Sequence, residues 1–372
     1  MTTDPYSTST PSTPSTPSTT PHEPQLMLAD SPPIDALIGA APEDFVVDEI
    51  PLYPQSGAGE HVYARVEKRG YTTPAMVRAV ARAAGADERD IGYAGLKDKH
   101  AVTRQWLSLP SKARPPSEWQ LPEGITVVEH TRHSNKLRTG HLLGNRFRIT
   151  LVTPDLGALE KATPVAELLR ARGLFNYYGG QRFGRHGDGL GQALVWLREG
   201  AKLHGLPRFL TKLYPSVIQA EVFNRYFSAR RTLGLERLLL GEVVRLNNAG
   251  AMFSVEDTER ENPRLASGDI HLTGPIFGPK ARPTSAEAAA LELAQIEELG
   301  LNHEAREKLA RLAPGTRRDL IAKVTDLELR WAGVGRLELS FSLPSGSYAT
   351  EVIRQFTHSP FLIDEADRGS DS

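Results

Sequence analysis

The chain has 372 residues, 40% of them hydrophobic and 24% charged, with a formal net charge of −1 at pH 7. This length and hydrophobic content are enough for two domains of ordinary size. It contains no cysteine, which excludes disulfides, thiolate catalysis and cysteine-ligated zinc, and no apolar run approaches the ~18 residues of a membrane-spanning helix. The near-zero charge excludes a global attraction to phosphate, so a nucleic-acid site has to come from local basic clusters, and we expect a soluble, cytoplasmic protein.

Residues 1–31 form a leader that carries the Ser/Thr/Pro repeat STSTPSTPSTPSTTP. It offers almost no apolar surface to offset the entropy lost on ordering, so we predict that it is disordered. The leader lacks the basic start and apolar middle of a secretory signal, and its lack of arginine argues against a transit peptide. We assign no chemistry to it.

The first predicted elements are strands and one helix. PEDFVVDEI, residues 42–50, reads as a short strand in which Phe45 would normally be a core side chain. HVYARV, residues 61–66, alternates as a half-buried strand, and a helix then begins at Thr73 and is closed by Gly85. This strand and helix lead into the most informative stretch of the chain.

That stretch is IGYAGLKDKHAVTRQWLSLP, residues 91–110, in which two apolar runs flank a glycine turn and a charged cluster. Asp98 lies there among the cationic side chains of Lys97, Lys99 and His100. Nearby positive charge keeps a carboxylate ionised, so Asp98 is a candidate nucleophile or electrostatic group. The alternative reading from the charges alone is a solvated turn. Its neighbours would either hold Asp98 or a phosphate, or point to solvent.

HTRHSNKLRTGHLLGNRFRITLV, residues 130–152, is the most basic stretch of the protein. A strand pair here would project cations from one face toward phosphates, although an exposed polar sheet face fits the pattern as well. The candidate cations are Arg132, Lys136, Arg138, Arg146 and Arg148. His130 and His133 lie on a predicted strand or loop, where such histidines are more often ordinary surface residues than metal ligands, so we predict no metal site.

Residues 159–172 have a helical pattern, and GLFNYYGGQRFG, residues 173–184, then combines aromatics and glycines with Asn176, Gln181 and Arg182. An aromatic face can stack on an extruded base for ~1–3 kcal/mol, and an amide can bind a base edge. The alternative is a glycine-rich turn with core aromatics.

From residue 201 to 322 the chain becomes rich in Arg and Leu, with helices broken by Pro/Gly loops, and we predict a second domain. One of its helices is predicted to have Ser216 as N-cap. Residues 327–343 then alternate as two strands that should rejoin the first sheet. In the helix that follows, Arg354 either pairs with Asp98 or lies at the surface.

Several of these stretches resemble one family. GLKDKHAVTRQWLSL, residues 95–109, resembles the signature of the TruD family of tRNA pseudouridine synthases, in which the Asp of the KD pair is the catalytic nucleophile. The resemblance assigns that role to Asp98. PEDFVV resembles the family's Pro-Glu-Asp-Phe-x-Val element, whose Phe touches the target uridine, and this implies the same for Phe45. A basic residue often precedes that element in the family, whereas residues 38–41 here are uncharged.

Two later motifs extend the resemblance. NYYGGQRFG, residues 176–184, is similar to the family's NYFGxQRFG, which implies a substrate contact for Asn176 and a pocket position for Tyr178, where Phe is usual. GSYAT resembles GSFAT, whose aromatic contacts the uridine and is Tyr348 here. GHLLGNRFRITL also resembles the family, which favours a basic strip facing tRNA, and QAEVFN and TGPIFGPK resemble elements of its insertion domain.

The resemblance implies an α/β fold of the α+β type: a pseudouridine synthase catalytic domain with a mixed, mostly antiparallel sheet, interrupted by an inserted α/β TRUD domain. The division is a disordered leader 1–31, a first catalytic part 32–200, the inserted domain 201–322, catalytic return strands and helix 323–366, and a loose tail 367–372. The implied activity is isomerisation of the uridine at position 13 of tRNA, without a cofactor, and we expect a monomer.

Two other classes of function remain open on the sequence. One is a non-catalytic RNA-binding protein, which would have no need for a carboxylate beside its phosphate contacts. The other is a hydrolase that uses Asp98 as a nucleophile on phosphate, which would need a second carboxylate or a metal site close by. The sequence disfavours both.

Overall fold

The computed structural model describes residues 19–54, 56–184, 188–199 and 208–359. The chain divides into two compact units. The first comprises Pro24–Gly179 and the segment that begins at Asp319, and the second comprises Gly180–Arg318 and the segment that ends at Glu23. The predicted boundary at 200/201 and the predicted tail 367–372 lie outside the described residues. Among the helices that are described, none is long and apolar enough to cross a bilayer.

The elements are named here in chain order. They are β1 (Leu37–Ile38), β2 (Phe45–Pro51), β3 (His61–Lys68), α1 (Thr73–Ala84), β4 (Gly92–Tyr93), β5 (Val102–Pro110), β6 (Ile125–His133), β7 (Leu142–Val152), α2 (Ala158–Arg172), β8 (Leu174–Phe175), α3 (Gly189–Arg198), α4 (Arg208–Thr232), β9 (Val243–Leu246), β10 (Met252–Ser254), α5 (Thr258–Ser267), β11 (Ile270–Ile276), α6 (Ala286–Glu298), α7 (His303–Leu312), β12 (Thr316–Asp319), β13 (Ile321–Ala322), β14 (Thr325–Gly333), β15 (Arg336–Pro344) and α8 (Ala349–Thr357).

The first unit is built on a nine-stranded sheet of described residues in the order β14-β15-β7-β2-β5-β3-β6, with β1 beside β7 and β4 beside β5. β2 and β5 run parallel, with Val46 opposite Val102, while their other neighbours run antiparallel. The predicted mixed, mostly antiparallel sheet is therefore confirmed. The return strands also rejoin this sheet as predicted, because β15 pairs with β7 along its whole length, from Arg336 opposite Val152 to Pro344 opposite Gly144.

One face of this sheet carries two apolar clusters with a polar gap between them. Alternate residues of β7 and β15 pack against α2 and α8, and alternate residues of β3 and β5 pack against α1. Between the clusters, four buried polar side chains lie on that same face. They are Glu49, Lys68, Thr103 and Gln105. We call these four residues the polar strip.

Helix α1 follows its sequence signals closely. It spans Thr73–Ala84 and ends at Gly85, which has φ 65° in the left-handed region that glycine adopts without strain. The cap at its start is Thr72, whose side chain accepts from the Ala75 N–H. Thr73 is consequently released from capping and is buried, which matters for the site described below.

The basic strand pair predicted in residues 130–152 does not form. β6 lies at the outer edge of the sheet on β3, whereas β7 lies between β2 and β15. The two strands differ in their faces, because β7 has a buried apolar row at Phe147, Ile149 and Leu151, while β6 is mostly exposed. A row of apolar side chains favours a central strand and an exposed strand favours an edge.

In the second unit, the sheet β10-β9-β11-β12 packs against α4. The predicted N-cap at Ser216 is wrong, because α4 already begins at Arg208 and runs through Pro215. Ser216 instead donates its hydroxyl to the Leu213 carbonyl one turn back. The first turns are stabilised by packing, since Tyr214 is buried with its ring 5.6 Å from that of Trp196.

The second unit also contains a fully buried ion pair. Arg230 Nε and Glu242 Oε1 lie 2.7 Å apart, and both side chains are 0% exposed. Arg230 donates further to the carbonyls of Gly234 and Arg237, and Glu242 accepts from the Leu239 N–H. The guanidinium nitrogens and the carboxylate oxygens of this pair therefore all have hydrogen-bond partners inside the unit.

The predicted leader is described from residue 19 onward. Met27 and Leu28 pack against the apolar cluster of β7 and β15, and the Met27 N–H donates to Gln355 Oε1 at 2.8 Å. The apolar side chains of this segment therefore take part in the core. The disorder predicted for 1–18 concerns residues outside the described chain and stays a prediction.

Candidate active site

Asp98 lies on the turn between β4 and β5, with its side chain exposed. Its Oδ1 accepts from the His100 N–H at 2.9 Å, a short-range contact that fixes the carboxylate relative to the turn. Because Val46 is opposite Val102 in the parallel pair, Phe45 is level with Ala101, three residues after Asp98. Phe45 therefore lies beside the end of β5 that follows the Asp98 turn.

The main chain of this turn is held by the start of helix α1. Thr73 Oγ1 accepts from the Lys97 N–H at 2.9 Å and donates to Gln105 Oε1 at 3.1 Å. Gln105 in turn donates from Nε2 to the Gly95 carbonyl at 3.2 Å. One buried hydroxyl and one buried amide thus fix the turn immediately before Asp98.

A buried ion pair supports the turn from below. Lys97 Nζ lies 2.8 Å from Glu49 Oε2, and the two side chains are only 7% and 1% exposed. Glu49 Oε1 also accepts from the Trp106 N–H at 3.3 Å. The ammonium of Lys97 is therefore paired inside the protein. This position fits a role in supporting the turn and does not fit a phosphate contact.

Lys68 makes the closest contact with the main chain of Asp98. Its side chain is fully buried, and Nζ donates to the Asp98 carbonyl at 2.5 Å. The pKa of Lys68 is lowered from 10.5 to about 8, mainly by burial. The attraction of Asp98 opposes this lowering, and the nearby charge of Lys97 contributes to it. The sequence analysis missed this residue. The two-residue alternation of β3 could have identified it, because Lys68 follows Val62, Ala64 and Val66 on the core-facing side of the strand.

The second part of the site is a pair of tyrosines joined through Asn176. The rings of Tyr178 and Tyr348 lie 5.8 Å apart in an edge-to-face arrangement, and both residues are half-buried. Asn176 is buried, donates from Nδ2 to the Asp319 carbonyl at 2.9 Å and accepts at Oδ1 from Ser347 Oγ at 3.1 Å. Its amide therefore links the two loops that carry the tyrosines.

Close packing next to this pair explains a glycine and assigns Arg354. A Cβ at Gly179 would lie 2.5 Å from Glu351 Oε1, so a larger residue here would require the Glu351 side chain to shift. Burial raises the pKa of Glu351, which pairs with Arg354 at 3.0 Å. Arg354 also donates to the Gln25 carbonyl. The hypothesis that Arg354 pairs with Asp98 is therefore wrong, and so is a surface position, since the residue is buried.

One apolar cluster brings the two parts together. It contains Ala101 next to the Asp98 turn, Leu174 next to Asn176, and Ala349 next to Tyr348, with Phe45 packed against it. The Phe45 ring meets Phe147 edge to face at 6.3 Å. Residues that neighbour Asp98, Asn176 and Tyr348 in sequence thus belong to one apolar core.

The predicted basic contacts are not gathered on this face. Arg146 and Arg148 are exposed and alternate with the buried Phe147 and Ile149, so they lie on the opposite face of β7. Arg148 lies 3.9 Å from Glu338. Arg132 donates to the Gly59 carbonyl, Lys136 to the Arg89 carbonyl, and Arg138 is exposed in the loop after β6.

The other predicted side chains are placed as follows. His100 is exposed beside Asp98, and Lys99 is half-buried. Gln181, which is exposed, and Arg182, which is half-buried, belong to the second unit. No group of three or more His, Asp or Glu that could hold a metal ion occurs in the part of the chain that is described, and His133 Nδ1 accepts from the Asn135 N–H at 3.0 Å.

Comparison with known sequences gives a consistent result. The family model described as tRNA pseudouridine synthase D (TruD) matches residues 23–195 and 198–356. A protein of Anaeromyxobacter sp. named tRNA pseudouridine synthase D is 40% identical over 347 residues, covering 92% of this chain and 98% of that protein. One of the same name from Thermus thermophilus is 37% identical over 337 residues, covering 90% of this chain and 92% of that protein.

Comparison with solved structures identifies the same fold. A crystal structure from Methanosarcina mazei, titled as a tRNA pseudouridine synthase D (TruD), aligns with a TM-score of 0.66 and covers 90% of this chain and 97% of that chain. The two sequences are 23% identical over the alignment. At that identity the likeness speaks for the fold, while the family match rests on the sequence comparisons.

Proposed function

The chain belongs to the TruD family of tRNA pseudouridine synthases, and we propose that it isomerises the uridine at position 13 of tRNA to pseudouridine with Asp98 as its nucleophile. The observation that supports this assignment is an exposed carboxylate on a turn whose main chain is held by buried Lys68, Thr73 and the Lys97–Glu49 pair. A fixed main chain with an accessible side chain is what a positioned nucleophile requires.

The aromatic side chains would receive the target base. A uridine has to leave its stack, at a cost of a few kcal/mol, before a side chain can reach its glycosidic bond. Stacking on an aromatic ring returns ~1–3 kcal/mol per base. We assign Phe45, Tyr178 and Tyr348 to this pocket. In support, Phe45 packs against the apolar cluster that contains Ala101, and the two tyrosine rings lie 5.8 Å apart. Asn176 would then hold the tyrosine loops in place, in addition to any contact with the base.

The proposed chemistry is the one that the family resemblance implies for this carboxylate. Asp98 bonds covalently to the uridine while the bond between N1 of the base and C1′ of the ribose breaks. The base turns, C5 bonds to C1′, Asp98 is released, and the hydrogen on C5 leaves as a proton while N1 takes one from solvent. Product and substrate have the same atoms, so the reaction balances without a cofactor.

The basic side chains and the second unit are assigned to binding. We propose that tRNA phosphates contact the exposed cations described above, together with Lys99, His100, Gln181 and Arg182, and that the inserted domain, 201–322, helps grip the tRNA. Since phosphate contacts supply most of the sequence-independent affinity for nucleic acid, scattered cations can serve a large RNA. We further propose that the protein acts as a monomer in the cytoplasm.

The test is release of tritium from tRNA labelled at C5 of uridine, with native protein and Asp98→Asn. Native protein should release the label, and Asp98→Asn should lose more than about 10⁴-fold in rate because the nucleophile is gone. Its tRNA affinity should stay near native, since an amide oxygen can still accept from the His100 N–H. A protein that binds tRNA and retains the label is a non-catalytic binder, and one that produces inorganic phosphate is a hydrolase. Either result would overturn the proposal.

A further inference from the structure

Lys68 is a buried cation that takes no part in the bond changes described above. It lies at the end of β3 with 0% of its surface exposed, and its ammonium contacts the Asp98 carbonyl at 2.5 Å. Among the described residues, no carboxylate forms an ion pair with it. A charge buried without an ion pair is costly to folding, and an apolar side chain of similar length would fit the core at a lower cost. Stability alone is therefore a poor explanation for this lysine.

We propose that Lys68 is a positioning residue of the isomerisation, whose ammonium holds the Asp98 main chain so that the carboxylate is aimed at the uridine. The inference rests on the proposed role of Asp98 as nucleophile. The geometric reason is that Asp98 follows a turn whose other supports, Thr73 and Gln105, bind at Lys97 and Gly95. Lys68 is the support that contacts Asp98 itself. A misplacement of about 1 Å at a reacting group can cost ~10²-fold in rate.

The charge of Lys68 gives this role a pH dependence. Two charged groups of the turn, Asp98 and Lys97, act on Lys68 directly. Glu49 of β2 is linked to it through the pair with Lys97. Its cross-strand neighbours, Thr103 of β5 and Ile125 of β6, do not titrate. Burial holds the pKa of Lys68 at about 8. The ammonium is therefore charged below pH 8 and becomes a neutral amine as pH rises through that value. A neutral donor makes a weaker hydrogen bond than a charged one, so turnover should decline above pH 8.

The experiment compares Lys68→Met, Lys68→Arg and a matched control, Lys112→Met, at an exposed lysine of the same unit. The readout is the single-turnover rate of tritium release at pH 7, with tRNA affinity and melting temperature measured in parallel. Lys68→Met should lose about 10- to 100-fold in rate with affinity within about threefold of native, since a charged hydrogen bond is lost at the nucleophile. Lys68→Arg should recover part of the rate, and Lys112→Met should match native protein.

A pH series from 6.5 to 9 separates positioning from a structural role. At low enzyme concentration, the rate of tritium release by native protein should fall as the pH rises through about 8. Lys68→Met and Lys68→Arg should not show this fall, because neither side chain loses a proton in that range. A Met variant with the native rate, a fall shared by all variants, or a rate loss that only follows a lower melting temperature would overturn the inference. If native protein releases no label at all, the proposed function fails instead.

Discussion

Two buried ion pairs, one in each unit, are put to different uses. Arg230 and Glu242 in the second unit are completely enclosed, and their remaining polar atoms bind nearby main chain. Lys97 and Glu49 in the first unit are buried almost as deeply, yet the residue that follows, Asp98, is exposed. A buried ion pair adds little net stability compared with apolar packing. The role of each pair therefore has to be judged from the main-chain segment that it holds in place. One pair fixes a helix end, and the other fixes the turn that carries the proposed nucleophile.

The largest expected effect comes from breaking the pair beside Asp98. Lys97→Met leaves the Glu49 carboxylate buried without its partner, which should lower the free energy of unfolding by ~3–5 kcal/mol. The turn also loosens, so tritium release per folded molecule should fall at least about tenfold. Urea unfolding and single-turnover assays measure the two effects.

The double variant Lys97→Met with Glu49→Gln sharpens this result. Removing both charges should restore part of the stability, because no unpaired carboxylate remains buried. The rate should stay low, since the turn still lacks its support. Recovery of rate together with stability would mean that the pair acts only on folding.

A stability effect without a chemical one is expected for Arg230→Met. It leaves Glu242 buried and unpaired, which should again cost ~3–5 kcal/mol of unfolding free energy and lower the melting temperature by about 10 °C. At a temperature where the variant is fully folded and tRNA is saturating, the rate should stay within about twofold of native. A larger loss of rate under those conditions would remove the contrast between the two pairs.

The smallest expected effect is in the tyrosine pocket. Tyr348→Ala removes a ring that lies 5.8 Å from Tyr178 and should reduce kcat/KM about 5- to 150-fold, corresponding to the loss of ~1–3 kcal/mol of base stacking. Tyr348→Phe keeps the ring and should stay within about twofold. Steady-state kinetics on tRNA measure both. If Phe proves as weak as Ala, the hydroxyl and not the ring carries the contact.

Sequence patterns predicted the local elements and proposed one functional residue, Asp98. Alternation identified the return strands β14 and β15, and the residues around Gly85 marked the end of α1. The charge cluster and its motif singled out Asp98. These are properties of neighbouring residues, which periodicity and turn chemistry describe directly.

Contacts between distant residues were not predictable in the same way. The separation of β6 from β7 depends on strand order, which alternation within each strand does not encode. Lys68 was missed because a lysine at a strand end is normally solvent-facing, whereas its acceptor, the Asp98 carbonyl, is 30 residues away. Ser216 was predicted as an N-cap, but tertiary packing carries α4 through Pro215 and past that position.

The discontinuous sheet also sets an order of events on the ribosome. β7 is made early, but its free edge is covered only when β15 emerges, after the second unit, Gly180–Arg318, has been synthesised. At ~5–20 residues per second, that interval lasts roughly 10 to 40 s. During it, β7 presents unpaired amide and carbonyl groups that another nascent chain could bind. The exposed arginines of β7, Arg146 and Arg148, place positive charge along that edge, which would keep two such strands apart until the C-terminal hairpin arrives.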